Sequence, residues 1–168
     1  RSIEHGNLID APTAALMAAR GAYAVPTLIT YEALARDGLR LGLGADSVAK
    51  IAQVREAGLQ SLQIFRDAGV KLGFGTDLLG ASHDLQSEEF LIRAQVQTPL
   101  EVLQSATLIG AEILGQTGRL GEIVPGARAD LLLVDGNPLA DLRCLTGQGE
   151  RIPLVMQGGQ LRVNRLQA

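Results

Sequence analysis

Short apolar runs alternate with helix-like segments along the first two thirds of this chain, and this alternation limits the possible folds more than any other feature. The pattern predicts strands at residues 2–4, 22–28 and 70–74, each followed by a predicted helix. Strands that alternate with helices are typical of βα units, whose strands form a parallel sheet. We therefore predict an α/β fold.

The ends of the predicted helices carry residues that commonly begin or close a helix. Asp10 is placed to cap a first helix that closes at Gly21. Apolar residues at helical spacing predict a long amphipathic helix over residues 46–69, and another helix is predicted over 88–97. The sequence TPLE that follows is a capping box, which predicts a last helix over residues 98–114.

The sequence changes character beyond residue 117, where glycine and proline interrupt short apolar runs. This composition is typical of β structure with tight turns. Gly158 and Gly159 separate two apolar segments and predict a two-residue β-hairpin. We therefore predict two units, an α/β unit over residues 1–117 and a β unit over residues 118–168.

The composition indicates a folded chain and argues against two classes of partner. Hydrophobic residues make up 46% of the 168 residues and charged residues 20%, which provides enough apolar surface for a core. Aromatic residues make up 3% and the net charge is −3, so no nucleic-acid partner is expected. No apolar run approaches the roughly 18 residues that span a bilayer, so no membrane partner is expected. The single Cys144 has no disulfide partner in the chain, which favours a reducing, cytoplasmic location.

Two side chains capable of metal binding and proton transfer follow predicted strands. His5 comes directly after residues 2–4, and Asp77 follows residues 70–74 and a Gly-Thr pair. Because ligands and catalytic groups gather at the carboxyl ends of parallel strands, we expect both side chains on one face of the sheet. An imidazole nitrogen and a carboxylate suit a divalent metal and a water molecule. Two structural interpretations stay open: His5 as a hydrogen-bonded structural residue, and Asp77 as the cap of a turn.

Three segments carry a resemblance to a known family: SIEHG at residues 2–6, GFGTD at 73–77 and GRLGEIVPGARADL at 118–131. In this order they resemble the amidohydrolase superfamily, and more narrowly its imidazolonepropionase-related and Xaa-Pro dipeptidase-related branch. That family joins a metal-dependent (β/α)8 barrel to a small β-sandwich. The resemblance implies that residues 1–117 are the last βα units of the barrel, strands six to eight, and that residues 118–168 are strands of the sandwich.

The resemblance covers the carboxyl-terminal portion of such an enzyme only. The family's HxH motif, its metal-bridging lysine and a further histidine all precede the sixth strand and have no counterpart in this sequence. Three strands do not close an eight-stranded barrel, and their open edges favour pairing with another chain. We therefore expect the chain to require the missing amino-terminal half of the same protein, or self-association, for stability.

The resemblance also implies roles for individual residues. It makes His5 a metal ligand and Asp77 both a metal ligand and the catalytic residue that carries the proton. The metal is expected to be zinc, with one or two ions in the complete enzyme. The implied reaction is hydrolysis of an amide-type bond, non-peptide C–N or dipeptide, by a metal-activated water. Tyr31, His83 and Gln86 are expected to lie in loops and to contact the small-molecule substrate.

Two other interpretations remain. Because the remaining ligands are missing, the chain is also consistent with a non-catalytic folded remnant or assembly module that keeps a vestigial metal site. An open flavodoxin-like sheet with a β appendage is the structural alternative, and the glycine- and proline-rich end of the chain argues against it.

Overall fold

The computed structural model describes residues 1–166 of the chain. In chain order its elements are β1 (Ser2–Glu4), α1 (Ala11–Ala19), β2 (Tyr23–Val25), α2 (Leu28–Asp37), α3 (Ala45–Asp67), a 3₁₀ helix (Gly80–Glu88), α4 (Glu89–Arg93), α5 (Pro99–Gln104), a π-helical turn (Ser105–Ile109), α6 (Gly110–Ile113), β3 (Leu131–Leu133), two 3₁₀ turns (Leu142–Leu145 and Gly147–Gly149), β4 (Leu154–Gln157) and β5 (Gln160–Asn164).

Three chain segments run side by side in parallel, as the alternation predicts. β1 pairs with β2 in parallel, and Leu72 forms a parallel bridge with Ala24 on the other side of β2. Backbone bonds from Ala24 N to Lys71 O (3.1 Å) and from Gly73 N to Ala24 O (2.8 Å) hold the third segment in place. The carboxyl ends of all three segments therefore meet at one edge.

Two of the predicted strands are shorter than expected. The strand predicted over residues 22–28 covers only Tyr23–Val25, because Pro26 has no N–H to donate and the chain then turns into α2 at Leu28. The strand predicted over 70–74 is reduced to the single bridge at Leu72. α2 itself is absent from the sequence prediction.

The predicted helices are confirmed with one change. α1 begins after Asp10, whose side chain accepts a hydrogen bond from Thr13 N at 2.8 Å, and α3 covers nearly all of the long helix predicted over 46–69. The capping box opens α5, and helical structure continues to Ile113. The helix predicted over 88–97 is wrong in extent, because α4 covers Glu89–Arg93 and a 3₁₀ helix precedes it.

The main core lies between the parallel strands and helices α1 and α3. It is aliphatic apart from one phenylalanine, and its buried members are Ala14, Met17, Ala24, Leu28, Leu62, Phe65, Val70 and Leu72. Gly6, directly after His5, is required for the packing of α3 against β1: its φ is +70°, and a Cβ there would lie 2.8 Å from Phe65 Cζ. The strand end that carries His5 is thereby held against α3.

The carboxyl-terminal part forms an antiparallel sheet in the order β3, β4, β5. The hairpin between β4 and β5 is confirmed, with φ values of +57° at Gly158 and +79° at Gly159 that suit a two-residue turn. The 3₁₀ turn Leu142–Leu145, which includes the buried Cys144, packs against Val102 of α5. The division of the chain at residue 117 stays a prediction.

Helices in the described part of the chain are all too short or too polar to cross a membrane.

Candidate active site

His5 and Asp77 meet at the carboxyl edge of the parallel strands. His5 directly follows β1, and Asp77 follows the segment that bridges β2 from the other side. The distance from His5 Nε2 to Asp77 Oδ2 is 3.9 Å, and the two side chains are 43% and 57% exposed. The expectation that both side chains lie on one face is thus met, and the pair is open to small molecules.

The backbone at His5 and Asp77 adopts a left-handed conformation, which residues other than glycine disfavour. Among residues 1–166, three non-glycine residues have a positive φ: His5 (65°), Asp77 (49°) and Gln148 (55°). A left-handed conformation costs an L-residue about 1–2 kcal/mol. Such strain is concentrated at functional sites, where the surrounding structure enforces it.

Thr27 is a partner of His5 that no sequence pattern predicts. Thr27 Oγ1 lies 2.8 Å from His5 Nδ1, and Thr27 is buried with 4% of its surface exposed. The residue follows β2, the middle strand, so its hydroxyl lies between the two strand ends that carry the candidate ligands. One ring nitrogen of His5 is therefore engaged, and the other is directed towards Asp77.

Tyr31 lies in helix α2, where sequence reasoning placed it in a loop. Burial, and to a lesser extent the negative charge of Asp77, raise the pKa of the Tyr31 phenol above its usual value. The effect of the Asp77 charge indicates that Tyr31 belongs to the surroundings of the His5–Asp77 pair.

His83 and Gln86 lie in the 3₁₀ helix Gly80–Glu88, which replaces the loop expected there, and both are exposed. Within residues 1–166 neither forms a hydrogen bond with His5 or Asp77. Gln86 lines a cavity of about 500 Å³ together with Thr76, the neighbour of Asp77. A second cavity, of about 590 Å³, lies between α2 and the segment after Asp77, and its lining combines leucines such as Leu34 and Leu79 with charged residues such as Arg36.

A buried ion pair lies behind the site. Glu89 and Arg93, four residues apart on α4, are both fully buried, and Arg93 Nη1 lies 3.8 Å from Glu89 Oε1. Glu89 Oε2 accepts a hydrogen bond from Ile29 N at 2.7 Å, and Arg93 Nη1 donates to Gly73 O at 3.1 Å. The pair therefore connects the start of α2 with the strand segment that leads to Asp77.

Burial is the main cause of the pKa shifts of Glu89 and Arg93. It raises the pKa of Glu89 to about 7, against the opposing effects of Arg93 and of the N–H groups at the start of α2. It lowers the pKa of Arg93 to about 10, with Glu89 opposing. The sequence does not predict that this pair is buried, because a glutamate and an arginine four residues apart on a helix usually form an exposed ion pair.

The donor set fits part of a metal centre. Ligand atoms bind zinc at about 2.0–2.2 Å, so a nitrogen and an oxygen 3.9 Å apart can share one ion. Across residues 1–166, no cluster of three or more His, Cys, Asp or Glu side chains is arranged to hold a metal. A catalytic zinc usually has three protein ligands. His5 and Asp77 are thus candidates for two such ligands.

Comparison with known proteins identifies the family. The model of the amidohydrolase family matches residues 1–161. The chain belongs to the amidohydrolase family. A crystal structure of an amidohydrolase is 60% identical to it, with a TM-score of 0.96 over 99% of this chain and 40% of that one. A prolidase solved in complex with N-methylphosphonate-L-proline is 51% identical, with a TM-score of 0.94 over 98% of this chain and 40% of the other.

The imidazolonepropionase of Streptomyces griseus is 42% identical over 73 residues, which make up 41% of this chain and 18% of that enzyme. The resemblance to the imidazolonepropionase and Xaa-Pro dipeptidase branch of the amidohydrolases is therefore confirmed. The chain spans about 40% of the length of its solved relatives, which agrees with the expectation that it corresponds to a portion of such an enzyme.

Proposed function

We propose that this amidohydrolase chain is the carboxyl-terminal portion of a metal-dependent hydrolase that cleaves an amide-type or dipeptide bond in a small molecule. The observation that carries the proposal is the pair His5 and Asp77, brought to 3.9 Å at the carboxyl ends of parallel strands, each with a strained backbone.

In this proposal His5 and Asp77 would hold a divalent ion, zinc, with one or two ions in the complete enzyme. A bound divalent ion would supply Lewis acidity, which lowers the pKa of water and polarises the substrate carbonyl. Asp77 takes the proton from the attacking water and delivers it to the leaving nitrogen as the C–N bond breaks. The proton released by the water thus ends on the amine product.

Tyr31, His83 and Gln86 are proposed to contact the substrate. Tyr31 is supported by its electrostatic coupling to Asp77, and Gln86 by the cavity that it shares with Thr76. His83 is supported only by its position on the 3₁₀ helix Gly80–Glu88, other residues of which line both cavities. All three are candidates for setting specificity, because the metal ligands do not distinguish one amide from another.

The parallel segments are proposed to be strands six to eight of a (β/α)8 barrel within residues 1–117, and residues 118–168 to belong to a β-sandwich. The missing amino-terminal half, or a second copy of the chain, is proposed to cover the open strand edges. Large exposed apolar side chains support such a partner: Leu8, Leu79, Leu114 and Ile123 are each at least 68% exposed. The buried, unpaired Cys144 supports the proposed cytoplasmic location.

A second candidate is a non-catalytic remnant or assembly module. It is favoured by the number of ligands, since residues 1–166 supply two where a catalytic zinc usually has three. Metal analysis separates the two candidates, because a remnant predicts no stoichiometric zinc even when the rest of the barrel is provided.

The test joins this chain to the amino-terminal part of the amidohydrolase that is 60% identical to it, so that a complete barrel is formed. We expect zinc-dependent hydrolysis of dipeptides or related amides, and a loss of about 10²- to 10⁴-fold in kcat/KM for Asp77→Asn. Asparagine tolerates a positive φ, so the fold is retained. The matched control is Asp46→Asn, at an exposed aspartate in the first turn of α3. Full activity of Asp77→Asn would refute the role of Asp77.

A further inference from the structure

A left-handed turn in the carboxyl-terminal part of the chain contains a glutamine where glycine would be less strained. Gly147, Gln148 and Gly149 have φ values of +64°, +55° and +74°, so three consecutive residues are left-handed. Glycine adopts this conformation readily, whereas a residue with a side chain does not. Since both neighbours of Gln148 are glycines, a third glycine would form the same turn with less strain. The turn itself therefore does not account for the side chain of Gln148.

The side chain of Gln148 contacts a helix 64 positions earlier in the chain. Its Nε2 donates a hydrogen bond to Asp84 O, in the middle of the 3₁₀ helix Gly80–Glu88. Within residues 1–166, no other hydrogen bond joins residues 80–88 to the chain beyond residue 117. Asp84 lies between His83 and Gln86, both of which are proposed to contact the substrate. Gln148 thus holds the part of the 3₁₀ helix that carries these two side chains.

The turn that carries Gln148 is itself held on both sides. Arg165, which follows β5, donates to Gly149 O at 2.7 Å and to Ile152 O at 3.0 Å. Before the turn, the buried Leu145 belongs to the core that includes Val102 of α5. The turn is therefore bound to the antiparallel sheet and to α5, and Gln148 extends from a fixed position.

Gln148 also lines a cavity next to Asp77. This cavity, of about 500 Å³, is lined by Thr76, the neighbour of Asp77, and also by Gln86 and Gln148. One wall thus comes from the strand segment that leads to Asp77, a second from the 3₁₀ helix, and a third from the left-handed turn. A displacement of the 3₁₀ helix away from the turn would change the width of this cavity.

We infer that Gln148 is a positioning residue through which the carboxyl-terminal part of the chain holds the 3₁₀ helix Gly80–Glu88, and with it Gln86, in place beside the cavity. The consequence is that this part of the chain takes part in substrate binding, although it carries neither of the candidate metal ligands. The inference deepens the proposed function and rests on the role that the proposal gives to Gln86.

Three variants separate the hydrogen bond from the conformation of the turn. Gln148→Glu keeps the length of the side chain but has no N–H to donate to Asp84 O. Gln148→Gly also removes the donor, and it relieves the strain of the turn. Gln148→Asn keeps an amide and tolerates a positive φ, but its side chain is one methylene shorter. The matched control is Gln160→Glu, which makes the same change of charge at an exposed residue of β5.

Hydrogen-exchange mass spectrometry measures the contact independently of activity, in the completed barrel formed with the amino-terminal part of the 60% identical relative. We expect peptides covering residues 80–88 to exchange about 3- to 10-fold faster in the three variants than in the wild type or in Gln160→Glu, because a hydrogen bond that holds the helix is lost. The urea midpoint of Gln148→Gly should stay close to the wild-type value, because relief of strain offsets the lost hydrogen bond. Unchanged exchange at residues 80–88 in Gln148→Glu and Gln148→Gly would overturn the inference.

Kinetics test whether the contact serves the substrate. With the best substrate from a panel of Xaa-Pro dipeptides, we expect the three variants to raise KM about 3- to 10-fold and to leave kcat near the wild-type value, since the candidate metal ligands are unchanged. Faster exchange with an unchanged KM, or a fall in kcat that accounts for the whole fall in kcat/KM, would overturn the positioning role.

The inference and the proposed function fail in different ways. A completed barrel that hydrolyses no amide, yet shows the faster exchange, would refute the proposed function and leave the hold of Gln148 on the 3₁₀ helix standing. Zinc-dependent hydrolysis with wild-type exchange and wild-type KM in all three variants would refute the role of Gln148 and leave the proposed function standing.

Discussion

Replacement of Arg93 by methionine is expected to destabilise the chain strongly, because Arg93 connects several elements from a fully buried position. Besides its ion pair with Glu89, its guanidinium donates to Gly73 O (3.1 Å), Gln97 Oε1 (2.6 Å) and Ser105 Oγ (3.4 Å). Arg93→Met keeps much of the side-chain volume and removes every one of these interactions. It also leaves the Glu89 carboxylate buried without a cation.

The magnitude follows from the unpaired carboxylate. Removal of one partner of a buried ion pair typically costs about 3–5 kcal/mol, and here Glu89, whose pKa Arg93 lowers, must then either bury an uncompensated charge or take up a proton. Domains are stable by about 5–15 kcal/mol, so this is a large share of the total. Adding Glu89→Gln removes the unpaired charge while keeping an acceptor for Ile29 N. We expect the double variant to recover about 1–3 kcal/mol relative to Arg93→Met.

Urea unfolding of this chain joined to the amino-terminal part of its 60% identical relative, followed by circular dichroism at 222 nm, measures these differences. The control is Arg66→Met, which breaks the half-exposed pair with Glu101 at 3.0 Å and is expected to cost less than about 1 kcal/mol. A cost below about 1 kcal/mol for Arg93→Met, or a double variant less stable than the single one, would refute the reasoning.

Three further predictions concern pH, packing and association. The pKa of Glu89 is raised from 4.5 to about 7, so the folded state binds its proton more tightly than the unfolded state. Its contribution to the free energy of unfolding therefore falls, by up to about 3 kcal/mol, as the pH rises from about 4.5 to about 7. The difference between wild type and Glu89→Gln in urea unfolding at several pH values measures this, and a contribution that rises with pH contradicts it. Gly75→Ala places a Cβ 2.9 Å from Val25 Cγ1 and is expected to cost about 1–3 kcal/mol, whereas Gly110→Ala in helix α6, whose Cβ would meet only Ser105 O at 3.7 Å, should not destabilise the chain in the same assay. In analytical ultracentrifugation the isolated chain should self-associate, and a compact monomer that melts cooperatively would argue against the proposed open strand edges.

The elements that the sequence predicts well are those determined by local features. α1 and α3 follow from caps and from apolar residues at helical spacing, and the glycine pair specifies the β4–β5 hairpin. The parallel order of the strands follows from their alternation with helices.

α2 could not be predicted because a residue distant in sequence stabilises its start. Residues 27–30 read Thr-Leu-Ile-Thr, in which β-branched residues favour a strand. The acceptor for Ile29 N is Glu89, which no local window of the sequence includes. Tertiary context thus decides between strand and helix at this point, and with it the position of Tyr31.

The candidate ligands were predictable, and their supporting residues were not. His5 and Asp77 each follow a segment predicted as a strand, and the rule that strand ends of a parallel sheet share an edge brings them together. Thr27 and Glu89 are recognisable only from the contacts that they make in the fold. A threonine before a helix suggests a cap, and a glutamate on a short helix suggests a solvent-exposed residue.

Two energetically costly features, backbone strain and a buried ion pair, help to decide whether the chain is part of an enzyme or a folded remnant. His5 and Asp77 hold strained backbone conformations, and Glu89 and Arg93 form a buried pair behind them. Glycine would relieve the strain, and apolar side chains in place of a buried ion pair are often neutral or stabilising. A chain under selection for stability alone has no physical reason to combine these features around one strand edge. Their combination there supports a site that must hold two ligands at a fixed separation, which is what the proposed hydrolase requires.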